Sequence, residues 1–318
     1  MKVSINHFAA SLILLSGSFL FGCKRDNEKS DAVFSLPQEF IDRGDFYCEA
    51  SKEAYQEKKY VHSKCDGAGF TSLYSTRCGG VDLSVFEDSA TGKPYRSPTH
   101  DCFSTGASKS EYSRDMLLMR MVGAWRHKDL AWVNRMISYG EKNSWVICDA
   151  IDDATKIGRC VVSPSLYSVL YDMQSRLEGV APSSLTLQKD EDAVGLKDDF
   201  EAHLEVLKIW LEGEIYGAIT DTQLMKLEGY AKRESENALF LAVYAKYSNG
   251  DFSNSLKSLE RFPAGRLPNS SDWATEYLYQ RSMMRDGAPN KDWKPGPDAS
   301  EVFSGTDYNF VIYVISGK

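Results

Sequence analysis

Several chemistries have no foothold in this sequence. It contains no Gly-x-Ser-x-Gly elbow, no His-Glu-x-x-His, no glycine-rich phosphate loop and no Gly-x-Gly-x-x-Gly. Serine hydrolase, zinc protease, kinase and dehydrogenase readings therefore fall away. No Cys-x-x-Cys pair occurs, which disfavours a zinc site, and no cofactor is expected. The chain also lacks a basic stripe: 37 Lys and Arg stand against 45 Asp and Glu, a formal net charge of −8. Nucleic acid is a poor partner for such a chain, because neutralised phosphates supply most of that binding.

Charge is absent in a more local way at the N-terminus. After Met1-Lys2-Val3 no charged side chain appears through Phe8–Phe21, a short basic region followed by an apolar one. The run is shorter than the roughly 20 apolar residues that cross a bilayer. It stops at Leu20-Phe21-Gly22-Cys23, which resembles the lipobox of bacterial lipoproteins, with Phe21 where that box usually carries a small residue. The resemblance implies that residues 1–22 are a cleaved signal peptide and that Cys23 carries lipid. Lys24 is not the aspartate associated with inner-membrane retention, so the resemblance further implies the outer membrane, with the lipid as the link to the bilayer. The alternative is an ordinary secretory leader cut elsewhere, and export follows from either. Residues 23–36 are polar, cannot bury a core and read as a flexible tether.

Losing the leader, with its single basic Lys2, leaves about 296 residues of net charge −9, enough for one large domain or two small ones. Besides Cys23, six cysteines remain, an even count that reads as a disulfide set in an oxidising compartment. They permit 15 pairings. Local pairing gives Cys48–Cys65, Cys78–Cys102 and Cys148–Cys160, the last flanking an Asp149–Arg159 stretch that reads as a small β-hairpin.

Residues 37–110 are rich in Gly, Ser, Thr and Cys and poor in apolar side chains, which predicts short helices and irregular loops stapled by two disulfides. From 111 to 318 the pattern predicts a mainly α region, forming one globular unit with 37–110. Apolar residues at helical spacing predict helices over 111–127 and 130–142, the second opened by Asp129 as N-cap. The short link between them predicts an antiparallel hairpin. Ser163-Pro164 opens a helix that stops near Gly179. A polar loop spans 182–195, and further helices are predicted over 196–212, 221–233, 236–248 and 254–261, with a closing helix from Asp307.

Two resemblances arise from these helices. Ala238–Phe252, ending in Leu259-Glu260-Arg261-Phe262-Pro263, is similar to one tetratricopeptide unit: helix, Gly-Asp turn, helix, proline stop. No second copy recurs at a 34-residue period. The consecutive hairpins also resemble the α/α-toroid, six-hairpin glycoside hydrolases and unsaturated-uronide hydrolases. Here Arg114-Asp115-Met116-Leu117 opens a helix, and Asp66 lies about fifty residues earlier in Cys65-Asp66-Gly67-Ala68-Gly69-Phe70. The resemblance implies a toroid-like or incomplete ring with Asp66 and Asp115 as the carboxyl pair and Arg114 as an orienting cation.

Glycoside cleavage needs one carboxyl protonated as acid and another ionised as nucleophile or base, together with apolar ring faces for sugars. Trp125, Trp132, Trp145, Trp210, Trp273 and Trp293 are available, although Trp125 and Trp210 lie on apolar helical stripes and read as core. Asp115 reads equally as a helix N-terminus stabiliser or a partner of Arg114. His203, beside Glu205, reads as a general acid or as a polar core residue. Gln280 and Arg281 read as substrate binders, or Arg281 as half of a structural ion pair. Asp307 reads as a binding residue if it converges with Asp115 and otherwise as a cap. Two functions follow: binding or cleavage of polysaccharide or peptidoglycan in a helical cleft, or a non-catalytic helical scaffold that docks other envelope proteins.

Overall fold

The structure, a computed structural model, describes residues 34–55, 67–98, 112–147, 161–181, 196, 199–248, 250–269, 284–285, 288–289 and 304–318. These residues form ten α-helices: α1 (Gln38–Tyr55), α2 (Gly67–Tyr74), α3 (Arg114–His127), α4 (Leu130–Lys142), α5 (Pro164–Leu177), α6 (Asp199–Tyr216), α7 (Asp221–Arg233), α8 (Ala238–Tyr247), α9 (Ser253–Leu259) and α10 (Thr306–Ser316). All of them belong to one unit, Phe34–Lys318. Extended structure among the described residues is slight. β1 (Met284–Arg285) pairs antiparallel with β2 (Ala288–Pro289), and isolated antiparallel bridges join Glu87 to Pro94 and Val146 to Val161.

Side-chain caps start three of these helices. Asp129 accepts the Trp132 amide at 3.0 Å and begins α4. Thr220 and Gln223 close a reciprocal capping box on α7, and Asn237 accepts the Leu239 and Phe240 amides of α8. Such caps contribute about 1 kcal/mol each by satisfying amides that have no intrahelical partner. Lys128, at φ 54°, makes the short corner between α3 and α4. Beyond that corner Arg120 meets Asp129 at 3.1 Å and lies 4.5 Å over the Trp132 ring, so the first turn of α4 folds back on α3.

Three sequential pairs run antiparallel. Asn134, Glu141 and Trp145 meet Gln174, Tyr171 and Tyr167 respectively, so α5 returns along α4. Glu212 meets Gln223, and Glu205 meets Lys226 and Tyr230, which returns α7 along α6. The Ala245 and Ala238 carbonyls accept from Gly250 and Ser255, which does the same for α8 and α9.

The pairing of α2 with α3 differs. Gly69 lies against Met116 and Met119, Ser72 against Gly123, and Ser75 and Thr76 against His127 and Arg126. Both series ascend, so the helices are parallel. A Cβ on Gly123 would stand 3.0 Å from the Ser72 carbonyl oxygen, a separation that a larger side chain would force apart. Every residue of α2 is buried.

The C-terminal helix closes the core. Thr306–Val314 are buried all round, as a helix surrounded by other helices must be, and α10 packs on α1, α2 and α8. Phe310 and Tyr313 meet Trp210 of α6 at 5.3 and 5.9 Å. Arg77 ties this region together, donating to Asn309 at 2.7 Å, to Asp45 at 2.6 Å and to the Ile41 carbonyl at 3.3 Å.

Two expectations for the N-terminal segment are corrected. Instead of short helices only, it contains α1, an 18-residue helix. Instead of Cys48–Cys65 and Cys78–Cys102, the disulfide is Cys48–Cys78, with Cα atoms 5.4 Å apart, within the usual span. The reason is that Cys48 sits inside α1 on the buried side facing Tyr74, whose hydroxyl donates to the Cys48 carbonyl at 2.7 Å. That side meets the end of α2, where Cys78 follows. Cys65, Cys102, Cys148 and Cys160 lie outside the described residues, as do Cys23, the tether to residue 33 and the 149–159 stretch.

Candidate functional site

The first turn of α3 holds two of the residues expected from sequence, Arg114 and Asp115. Ser113 precedes the helix in an extended conformation but makes no side-chain cap bond to it. Its hydroxyl donates instead to the Asp115 carboxylate and accepts from the Arg96 guanidinium at 2.7 Å. Arginine has only donors, so the single hydroxyl proton is directed at Asp115. Arg96 is buried, and its carbonyl accepts the Ala68 amide at 3.0 Å. One residue thus joins the beginning of α2 to the beginning of α3. Beneath them Tyr112 is enclosed, and burial pushes its phenol well above the ordinary tyrosine range.

A third helix begins at the same end. Arg114, the first residue of α3, reaches Glu201 in the first turn of α6 at 3.5 Å. The two side chains are 32% and 40% exposed, so this pair contributes about 0–1 kcal/mol. His203 follows Glu201 by two positions, about 200° round the helix. The rotation that brings Glu201 to Arg114 therefore turns His203 to another side of α6.

Asp66 lies outside the described residues, directly before Gly67 at the start of α2. Gln280 and Arg281 also lie outside them. Asp307 is buried in the first turn of α10. Its neighbours Gly305 and Ser304 pack on Tyr47 and bond Ser51 of α1, and Asn309 meets Arg77 beyond the C-terminal end of α2. Asp115 stands at the other end of α2, so the convergence of Asp307 with Asp115 is not found.

The tryptophans divide by burial. Trp132 and Trp210 are core residues, Trp125 and Trp145 are partly buried, and Trp273 and Trp293 lie outside the described residues. Trp145 is held at φ 61°, which turns its ring back over Gly140, and it stacks on Tyr167 with centroids 4.6 Å apart. Tyr171 packs edge-on and donates to Glu141 at 2.7 Å, and burial with that bond pushes its phenol up to about 12. This stack packs Trp145, just past α4, against α5.

The opposite end of the α2–α3 pair is basic. Arg126 donates to the Thr76 carbonyl at 3.0 Å and lies 5.0 Å over Tyr313. The His127 Nε2 meets the Ser75 hydroxyl at 3.0 Å. Because that hydroxyl gives its proton to the Ser72 carbonyl, the ring is the donor and Ser75 is no activated nucleophile. Among the described residues no group of three His, Cys, Asp or Glu side chains could hold a metal ion, and no helix is long and apolar enough to cross a membrane.

Sequence reasoning missed Arg96, Ser113 and Glu201. The Ser-x-Asp spacing of 113 and 115 is a local signal that was readable, whereas Arg96 and Glu201 reach the site only through tertiary contact. No protein-family model, curated protein or solved structure matches the chain.

Proposed function

We propose that this is a lipid-anchored protein of the bacterial envelope, held at the outer membrane through Cys23, that binds or cleaves glycan at the end of the helical array where α2, α3 and α6 begin. One observation carries the reading: α2 and α3 are parallel and their first turns are joined through Arg96, Ser113 and Asp115. Asp66, the other candidate carboxylate, immediately precedes α2 in sequence. A carboxyl pair of this kind can divide the acid and base work of glycoside hydrolysis. Arg114, held loosely by Glu201, is free to orient a substrate oxygen. The reading sets this end in a toroid-like or incomplete ring of hairpins.

The competing reading, a non-catalytic scaffold, draws on α8 and α9, which run antiparallel through a turn at Gly250 and are followed by Pro263 four residues after α9 ends. The same α8 is enclosed by α7, α9 and α10, which leaves it little face for a partner.

The test is to incubate the mature protein, extracted from membranes in detergent, with peptidoglycan and a panel of polysaccharides, beside the Asp115→Asn variant. Loss of a general acid or base lowers the rate by about 10²–10⁴-fold. Product release unchanged in the variant removes Asp115 from catalysis, and no product from either protein removes the enzyme reading.

A further inference from the structure

We draw no further inference here: the strongest candidate, the Trp145, Tyr167 and Tyr171 stack at the joined ends of α4 and α5, has its indole faces spent on Gly140 and Tyr167 and its Tyr171 hydroxyl spent on Glu141, and nothing in the structure shows what covers the rest.

Discussion

The two ends of the parallel α2–α3 pair carry different kinds of charge, and the difference separates what folding requires from what it does not. Parallel helices place like ends of their dipoles together, which is unfavourable unless side chains oppose them. At the C-terminal end Arg126 bonds the Thr76 carbonyl just beyond α2, and Lys128 follows α3 directly. At the N-terminal end Asp115 and Glu201 also have the expected sign. Arg96 and Arg114 do not, since each adds positive charge where two helices already present it. Residues that break a local rule are the ones to suspect of function, and both arginines flank Asp115.

The largest expected effect tests how firmly the C-terminal end is pinned. Replacing Cys48 with Ser should cost about 2–5 kcal/mol, seen as a lower melting temperature without reductant. Peptide mapping without reductant should recover Cys48 linked to Cys78; Cys48 linked to Cys65 would restore the local pairing and detach this end from α1. Next comes the seam itself. Gly123→Val drives a side chain into the Ser72 carbonyl 3.0 Å away, and overpacking of this kind costs about 1–3 kcal/mol. A melting curve identical to wild type would mean that α2 does not lie on α3 as described.

The third test compares the ends directly by the stability of two charge-neutral variants. Arg126→Gln removes a charge-assisted hydrogen bond and a favourable dipole interaction, so a loss of about 1 kcal/mol is expected in urea unfolding. Arg114→Gln removes an exposed ion pair of small value and an unfavourable dipole interaction, which should leave stability unchanged or raise it by a few tenths of a kcal/mol. Equal losses would place Arg114 among the structural charges and weaken the case for the site.

How far this arrangement was legible in sequence varies by element. Helices α4, α5 and α7 begin with residues whose side chains or ring prefer helix starts, Asp129, Ser163-Pro164 and Thr220, and their apolar residues repeat at helical spacing. Their limits follow from local chemistry. The first helix was hidden by composition: polar residues and Gly44 dilute its stripe, yet Phe40, Tyr47, Cys48 and Ser51 fall on one buried side. Gly44 is there because Arg77 and Asn309 meet where its Cβ would project, a fact about α10 that no local window contains. Helix α2 has no polar face and hence no periodicity to detect. Its direction beside α3 is set by Gly69 and Gly123, which only the assembled core reveals. The site inherits this limit, since Asp115 and Arg114 announce a helix start while Arg96 is brought to them from an irregular segment.

The smallest effect concerns pH and the ring of His127. Opposed influences meet there, and the bond to Ser75 and the nearby Asp129 favour the charged form. The C-terminal dipole of α3 favours the charged imidazolium, whereas desolvation, the largest influence on this residue, and the nearby Arg120 and Arg126 favour the neutral form and lower its proton affinity below the ordinary histidine value. A native state that binds its proton less readily than the unfolded chain gains stability with rising pH. The contribution is therefore complete above the ordinary histidine value of about 6.5 and is lost as pH falls through and below it. Denaturant unfolding at a series of pH values from 7.5 to about 5 should show wild type losing more stability than His127→Gln. The reverse order would mean that the dipole outweighs desolvation, and the C-terminal end would then hold its histidine as a third cation.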